Sequence, residues 1–168
     1  THYFDLMDLY AGEVDWLCGM AEQRMRPWAV EDFAAAFIKF KSGVTGLISS
    51  TELTEYDDSA MEIRGSKGVI RISNSGLELF QSEQDVYEPD SGFQWSSLKP
   101  SDVVLPPENS TYVSALDELA DALAGKGKVR SDGKVGRRSL EMVMAIYQSQ
   151  IEGCRPVHFP ISLKSSGV

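Results

Sequence analysis

A histidine at position 2 stands three residues before an aspartate at position 5, in the stretch "THYFD". An imidazole titrating near pH 7 can take or give a proton, which suits general acid–base work. On a helix, His2 and Asp5 lie at i and i+3 and can face one cleft, where the carboxylate could fix the tautomer of the ring. From spacing alone the commoner case is a frayed terminal histidine with no role, so the pair needs other support. Four carboxylates cluster in "TELTEYDD": Glu52, Glu55, Asp57 and Asp58. Paired carboxylates can do glycosidic chemistry, but this run joins two strand-like segments, where charge usually serves a solvated loop. Trp28, Tyr56, Tyr87 and Trp95 sit in or near loops. They could stack on a sugar ring or plug sheet edges, and the sequence leaves both open.

Other chemistries lack their residues. No GxGxxG occurs, so no Rossmann fingerprint is present. "GKGK" at 125–128 lacks the Walker pattern and follows a helix rather than opening one, so it reads as a solvated loop. "GLISS" is no nucleophile elbow. Cys18 and Cys154 stand far apart, neither in a CxxC, and the only histidines are His2 and His158. No zinc ligand set follows from these; two reduced, buried thiols are expected. A net charge of −9 repels phosphate backbones and argues against a nucleic-acid partner. No apolar run approaches the roughly 18–20 residues of a membrane span. No signal peptide is visible either, although the chain opens without Met.

The elements that must position these residues follow from hydrophobic spacing. A length of 168 residues suits one domain. "YFDLMDLY" at 3–10 predicts a helix with Phe4, Leu6, Met7 and Tyr10 on its apolar face, stopped by Gly12. "EVDWLCGMA" could be a strand, and "RPWAV" a connection. "EDFAAAFIKF" and "VTGLISSTEL" predict a hairpin about the turn "KSG" at 41–43. "AMEIRG" and "VIRIS" predict a second about "SKG" at 66–68, and "GLELFQS" adds a strand after "NSG" at 74–76. Residues 83–109 are polar and carry Pro89, Pro100, Pro106 and Pro107. They predict a long irregular loop, with a short edge strand over "FQWSSL" at 93–98. "STYVSALDELADALAG" predicts a helix with Val113, Leu116, Leu119, Ala120 and Leu123 on one stripe, Ser110 as N-cap and Gly125 as C-cap. "GRRSLEMVMAIYQSQIEG" predicts another, with Leu140, Val143, Met144, Tyr147 and Ile151 as its stripe. "RPVHFPI" predicts a last strand. The fold class is α+β: a mostly antiparallel open sheet with helices packed on one face.

The order of the segments resembles the C-terminal domain of the Gfo/Idh/MocA family of NAD(P)-dependent oxidoreductases. "THYFDLMDLYAGEVDWLCG" is similar to that family's H-x-x-D helix, with its following glycine and strand, through His2, Asp5 and Gly12. "FIKFKSGVTGLISSTE" resembles its F-x-n-G-x-x-g hairpin, and "MEIRGSKGVIRIS" its G-s-k-G-x-i-x-i turn. "DGKVGRRSLEMVMAIYQSQIEGCRPVHFPI" is similar to its closing helix and strand, with Gly136, Ala145, Ser149, Gly153, Val157 and Pro160 in place.

The resemblance implies a substrate-binding and oligomerisation domain over 1–168 of an enzyme that oxidises a sugar, polyol or related hydroxy compound. His2 matches the family's catalytic histidine and Asp5 its downstream acidic position, facing substrate or just behind it. The cofactor, NAD or NADP, belongs to the parent enzyme, and none is expected for this chain alone. The family's Rossmann domain and its E-K-P lysine have no counterpart here, and the acidic residue four positions before the histidine would lie ahead of Thr1. Catalysis by this chain alone is therefore not expected. Homo-oligomerisation through the sheet face is implied, using the alternating apolar residues of 33–38, 44–48 and 69–72, with a cytoplasmic location. Loops 52–58 and 83–109 are where substrate selectivity is expected. Two alternatives stand beside this: a non-enzymatic ligand-binding or dimerisation module, and a domain of an NAD-dependent glycosidase of the same superfamily.

Overall fold

The structure is a computed structural model. It describes residues 1–27, 29–87, 94–105 and 110–161, with the backbone alone at 84–87 and 94–95. The elements run α1 (His2–Ala11), β1 (Val14–Glu22), β2 (Phe33–Phe40), β3 (Thr45–Thr51), β4 (Ala60–Gly65), β5 (Gly68–Ser73), β6 (Gly76–Tyr87), β7 (Gln94–Ser101), α2 (Thr111–Leu123), α3 (Gly133–Ile151) and β8 (Val157–His158). They form two compact units. One comprises Thr1–Glu55 with the described residues from Ala115 onward, the other Tyr56–Ser114.

In the first unit an antiparallel sheet is ordered β3-β2-β1-β8. Strand alternation sends Ala34, Ala36, Ile38 and Phe40 to one face and Phe33, Ala35 and Phe37 to the other. Helix α3 covers the first face, and α1 packs on α3. Between them lies the core, where Leu17 and Ile38 are cross-strand partners with no exposed surface. Each contributes about 1.5–3 kcal/mol by burial. The turn at 41–43 closes as expected: Gly43 N–H donates to the Phe40 carbonyl, and Gly43 takes a φ of 92° that favours glycine.

Helix α3 departs from its expected stripe. Its buried face is Ser139, Met142, Ala145, Ile146 and Ser149. Val143 and Tyr147 flank the core, whereas Leu140, Met144 and Ile151 are exposed. Small side chains at Ser139, Ala145 and Ser149 let the helix backbone come close to the sheet. A wall at Gly19 demands this: a Cβ there would stand 3.2 Å from Ile146 and 2.8 Å from the Ala35 carbonyl. Ser149 Oγ accepts from the Gly19 N–H at 3.0 Å and donates to the Arg155 carbonyl at 2.7 Å. Periodicity of large apolar residues could not report a contact made by small ones. Asp132 caps the helix, accepting from the N–H groups of Lys134 and Val135. The expected stripe of α2 is likewise exposed, at Val113, Leu116, Leu119 and Leu123.

The second unit carries its own antiparallel meander, β4-β5-β6-β7. The α+β class and the antiparallel pairing hold, with two four-stranded sheets in place of one. Residues 83–109 are not one irregular loop. Strand β6 runs on to Tyr87, and Gln94–Ser101 pairs back along it as an edge strand longer than expected. Pro100 misled the expectation. On an edge strand a missing N–H removes no ladder bond. Of that stretch, 88–93 and 106–109 lie outside the described residues.

The cysteines are not buried as expected. Cys18 is half-buried and Cys154 is exposed. Cys154 follows the glycine that ends α3 and takes a φ of 61°.

Candidate functional site

Helix α1 presents the expected pair. Its buried side is Phe4, with Met7 and Ala11 packed against the same core. At 100° per residue His2 lies about 200° around the helix from Phe4, and Asp5 about 60° from His2. Both therefore occupy the side turned from the core, where His2 is exposed and Asp5 half-buried. Among the described residues they share no hydrogen bond. Asp5 instead accepts from Ser131 Oγ, at 3.3 Å to Oδ1 and 3.5 Å to Oδ2.

The helix is locked from a flank about 60° around from Asp5. Arg138 on α3 donates twice to Asp8, from Nε at 3.0 Å and from Nη2 at 2.7 Å. The Asp8 side chain is only 8% exposed. A forked, partly desolvated pair of this kind fixes orientation as well as position. At the far end, Ser42 Oγ donates to the Ala11 carbonyl at 2.6 Å. The first turn of α1, and with it His2, is therefore aimed by contacts made one to three turns further along.

A cavity of about 330 Å³ opens beside that first turn. Thr1 and Phe4 line it, together with Glu31, Ser50, Glu52 and Tyr147, but His2 does not. The Tyr147 hydroxyl donates to Glu31 Oε1 at 2.5 Å. The carboxylate holds the phenol proton in place, and partial burial adds to this, so the tyrosine is pushed up to about 12. Asp32, also on the wall, is 1% exposed. Burial pushes its carboxyl up. The backbone N–H groups of Arg24, Met25 and Arg26, at 2.7–2.8 Å, outweigh that and hold it below the usual range. Asp32 thus ties down the connection between β1 and β2, and Arg24 lies 3.7 Å over the ring of Phe33 in the same corner.

The acidic run 52–58 assembles no paired site. Glu52 lines the cavity, and Glu55 meets Arg26 at 3.4 Å. Asp57 accepts from the Ser59 hydroxyl at 2.6 Å, which is the main reason its carboxyl titrates low. No group of three or more metal-ligating side chains occurs among the described residues. Tyr56 is exposed. Trp28 lies outside the described residues, as do the side chains of Tyr87 and Trp95. Sequence reasoning missed Asp8, Arg138, Asp32 and Tyr147. Tyr147 was expected only within the apolar stripe of α3, and nothing in "GRRSLE" told Arg138, which meets Asp8, from Arg137, which meets Glu141.

Residues 1–71 match the model of the GFO/IDH/MocA C-terminal domain. The WlbA dehydrogenase from Bordetella pertussis, solved with NADH and UDP-GlcNAcA, is 23% identical. The match covers 96% of this chain and 43% of that one, with a TM-score of 0.69. Levoglucosan dehydrogenase, solved with NADH and L-sorbose, is 16% identical over 96% of this chain and 48% of that one, with a TM-score of 0.72. An oxidoreductase from Agrobacterium radiobacter, solved with NAD+, L-tartaric acid and magnesium, is 20% identical over 94% and 46%, with a TM-score of 0.67. At such identities the likeness is one of fold. The chain spans less than half the length of each of these structures.

Proposed function

We propose, for a chain whose first 71 residues carry the GFO/IDH/MocA C-terminal domain and whose fold is that of the dehydrogenases above, that it is the substrate-side domain of an NAD(P)-dependent oxidoreductase. The substrate class is a sugar, polyol or related hydroxy compound. The observation that carries the reading is α1. It sets His2 and Asp5 on the side turned from the core, while Phe4 anchors the buried side and the Asp8–Arg138 pair fixes the flank between. A histidine that merely frayed would not need so fixed a helix behind it.

In this reading His2 accepts the proton of a carbinol hydroxyl as that carbon is oxidised. Asp5, steadied by Ser131, orients the ring or the substrate from one turn along. The chain itself does not fit a dinucleotide. Its described strands pair antiparallel throughout, so no parallel βαβ turn is present among them to cradle a pyrophosphate. The hydride acceptor is accordingly held by another part of a longer polypeptide, in the cytoplasm. The face of the first sheet opposite α3, where Phe37 and Leu47 are exposed, meets a second copy. The test is to assay the longer polypeptide against a panel of sugars and polyols with NAD+ and NADP+. Sustained formation of reduced cofactor supports the reading. Glycoside hydrolysis with no net reduced cofactor, or no turnover at all with intact cofactor binding, refutes it.

A further inference from the structure

A second cavity, of about 390 Å³, opens between the far half of α1, the turn after β2 and the first turns of α3. Four cations line it: Lys41, Lys134, Arg137 and Arg138. Lys134, Arg137 and Arg138 stand at i, i+3 and i+4 on α3, so they share one face of the helix. Three of the four cations meet an acid on the same wall. Lys41 meets Glu13 at 2.8 Å, Arg137 meets Glu141 at 2.8 Å and Arg138 meets Asp8 at 2.7 Å. Lys134 is the surplus. Its backbone N–H donates to Asp132, but its ammonium makes no hydrogen bond or ion pair among the described residues. The wall is therefore net positive, in a chain whose net charge is −9.

Cations near the start of a helix oppose its dipole, whose positive end lies there. A bound anion would relieve that conflict. The N–H groups at the helix end are not its donors, because Asp132 accepts from those of Lys134 and Val135. The side chains remain. Nη1 of Arg137 and Nη1 of Arg138 make no hydrogen bond among the described residues. Val14 and Met142, both buried, give the cavity an apolar floor.

We propose that this cavity binds a phosphate monoester. Lys134 meets the phosphate as a point charge, and the two arginines meet it through Nη1. A phosphate presents three oxygens to the three cations of that helix face, where a carboxylate has two. The carbon body of the ester lies on Val14 and Met142. Arg138 keeps Asp8 through Nε and Nη2, so the site fills without releasing α1. The site stands independently of the oxidoreductase reading.

The test is calorimetric titration of the full chain with phenyl phosphate, inorganic phosphate and benzoate, at low and at physiological salt. One phenyl phosphate is expected to bind per chain, more tightly than either of the others. Lys134→Ala is expected to weaken it about tenfold or more, and Lys134→Arg to retain it. The thermal midpoint of Lys134→Ala should not move, since that side chain has no partner to lose. Amide shifts followed by NMR during the titration should change most at 134–141 on α3. Phenyl phosphate that binds no more tightly than benzoate or inorganic phosphate overturns the proposal. So does an affinity unchanged in Lys134→Ala, or shift changes centred elsewhere.

Discussion

Ser149 shows how much one small side chain can hold. It is fully buried and serves Gly19 on β1 and Arg155 after α3 with one oxygen. Ser149→Ala leaves the Gly19 N–H without its partner, at a cost of about 1–3 kcal/mol, read as a lower denaturant midpoint with an unchanged m-value. Tyr147 makes a pH-dependent contribution. Its phenol is pushed up to about 12 by the Glu31 carboxylate, against about 10 in an unfolded chain. The folded state therefore keeps a proton that the unfolded state loses, and the contribution is present below about pH 10 and lost by about pH 12. Difference curves between wild type and Tyr147→Phe are expected to converge over that window. His2 and Asp5 were singled out in advance by the family resemblance, since their spacing alone favoured a frayed terminus. Ser149 could be named only as a matching position in a resemblance. Tyr147 was expected only as part of the apolar stripe of α3, where it does flank the core, and Asp32 gave no signal, since the partners of both lie across loops and on other elements.

At the scale of elements, spacing served where burial follows large side chains. Helix α1, the hairpin about 41–43 and the turn at 66–68 all appear where alternation and glycine placed them. It failed where contact is made by small residues, as on α3, and where a proline sits harmlessly on an edge, as at Pro100 in β7. Gly68 shows a demand that no alternation pattern reports. A Cβ there would collide with the Phe80 carbonyl on the neighbouring strand. Because β5 is flanked by β4 and β6, the backbone has little room to yield. Gly68→Ala is therefore expected to destabilise the second unit by more than the roughly 1–3 kcal/mol of ordinary overpacking. Hydrogen exchange should show it as lost protection across β4–β6 and unchanged protection in β1 and β2.

Over the whole molecule, the net charge of −9 and the lack of a GxGxxG motif narrowed the function classes. The division into two units was not visible, because both sheets are built from the same kind of hairpin. The face of the first sheet opposite α3 carries Trp16 and Phe37 with ring centroids 5.7 Å apart, beside an exposed Leu47. If that face meets a second copy, Leu47→Asp buries a charge without a partner and shifts the sedimentation of the chain from dimer to monomer. A wild-type chain that sediments as a monomer at every concentration would refute the pairing. In the proposed function, α1 aims His2 at a substrate hydroxyl. The most direct measurement is kcat of the longer polypeptide with its preferred sugar or polyol, for wild type and His2→Ala, beside the thermal midpoints of both. A fall in kcat of about 10²–10⁴-fold with an unchanged midpoint is expected, since His2 is exposed and packs on nothing in the core. A kcat that stays within about twofold, or a loss that merely tracks a lowered midpoint, would contradict it.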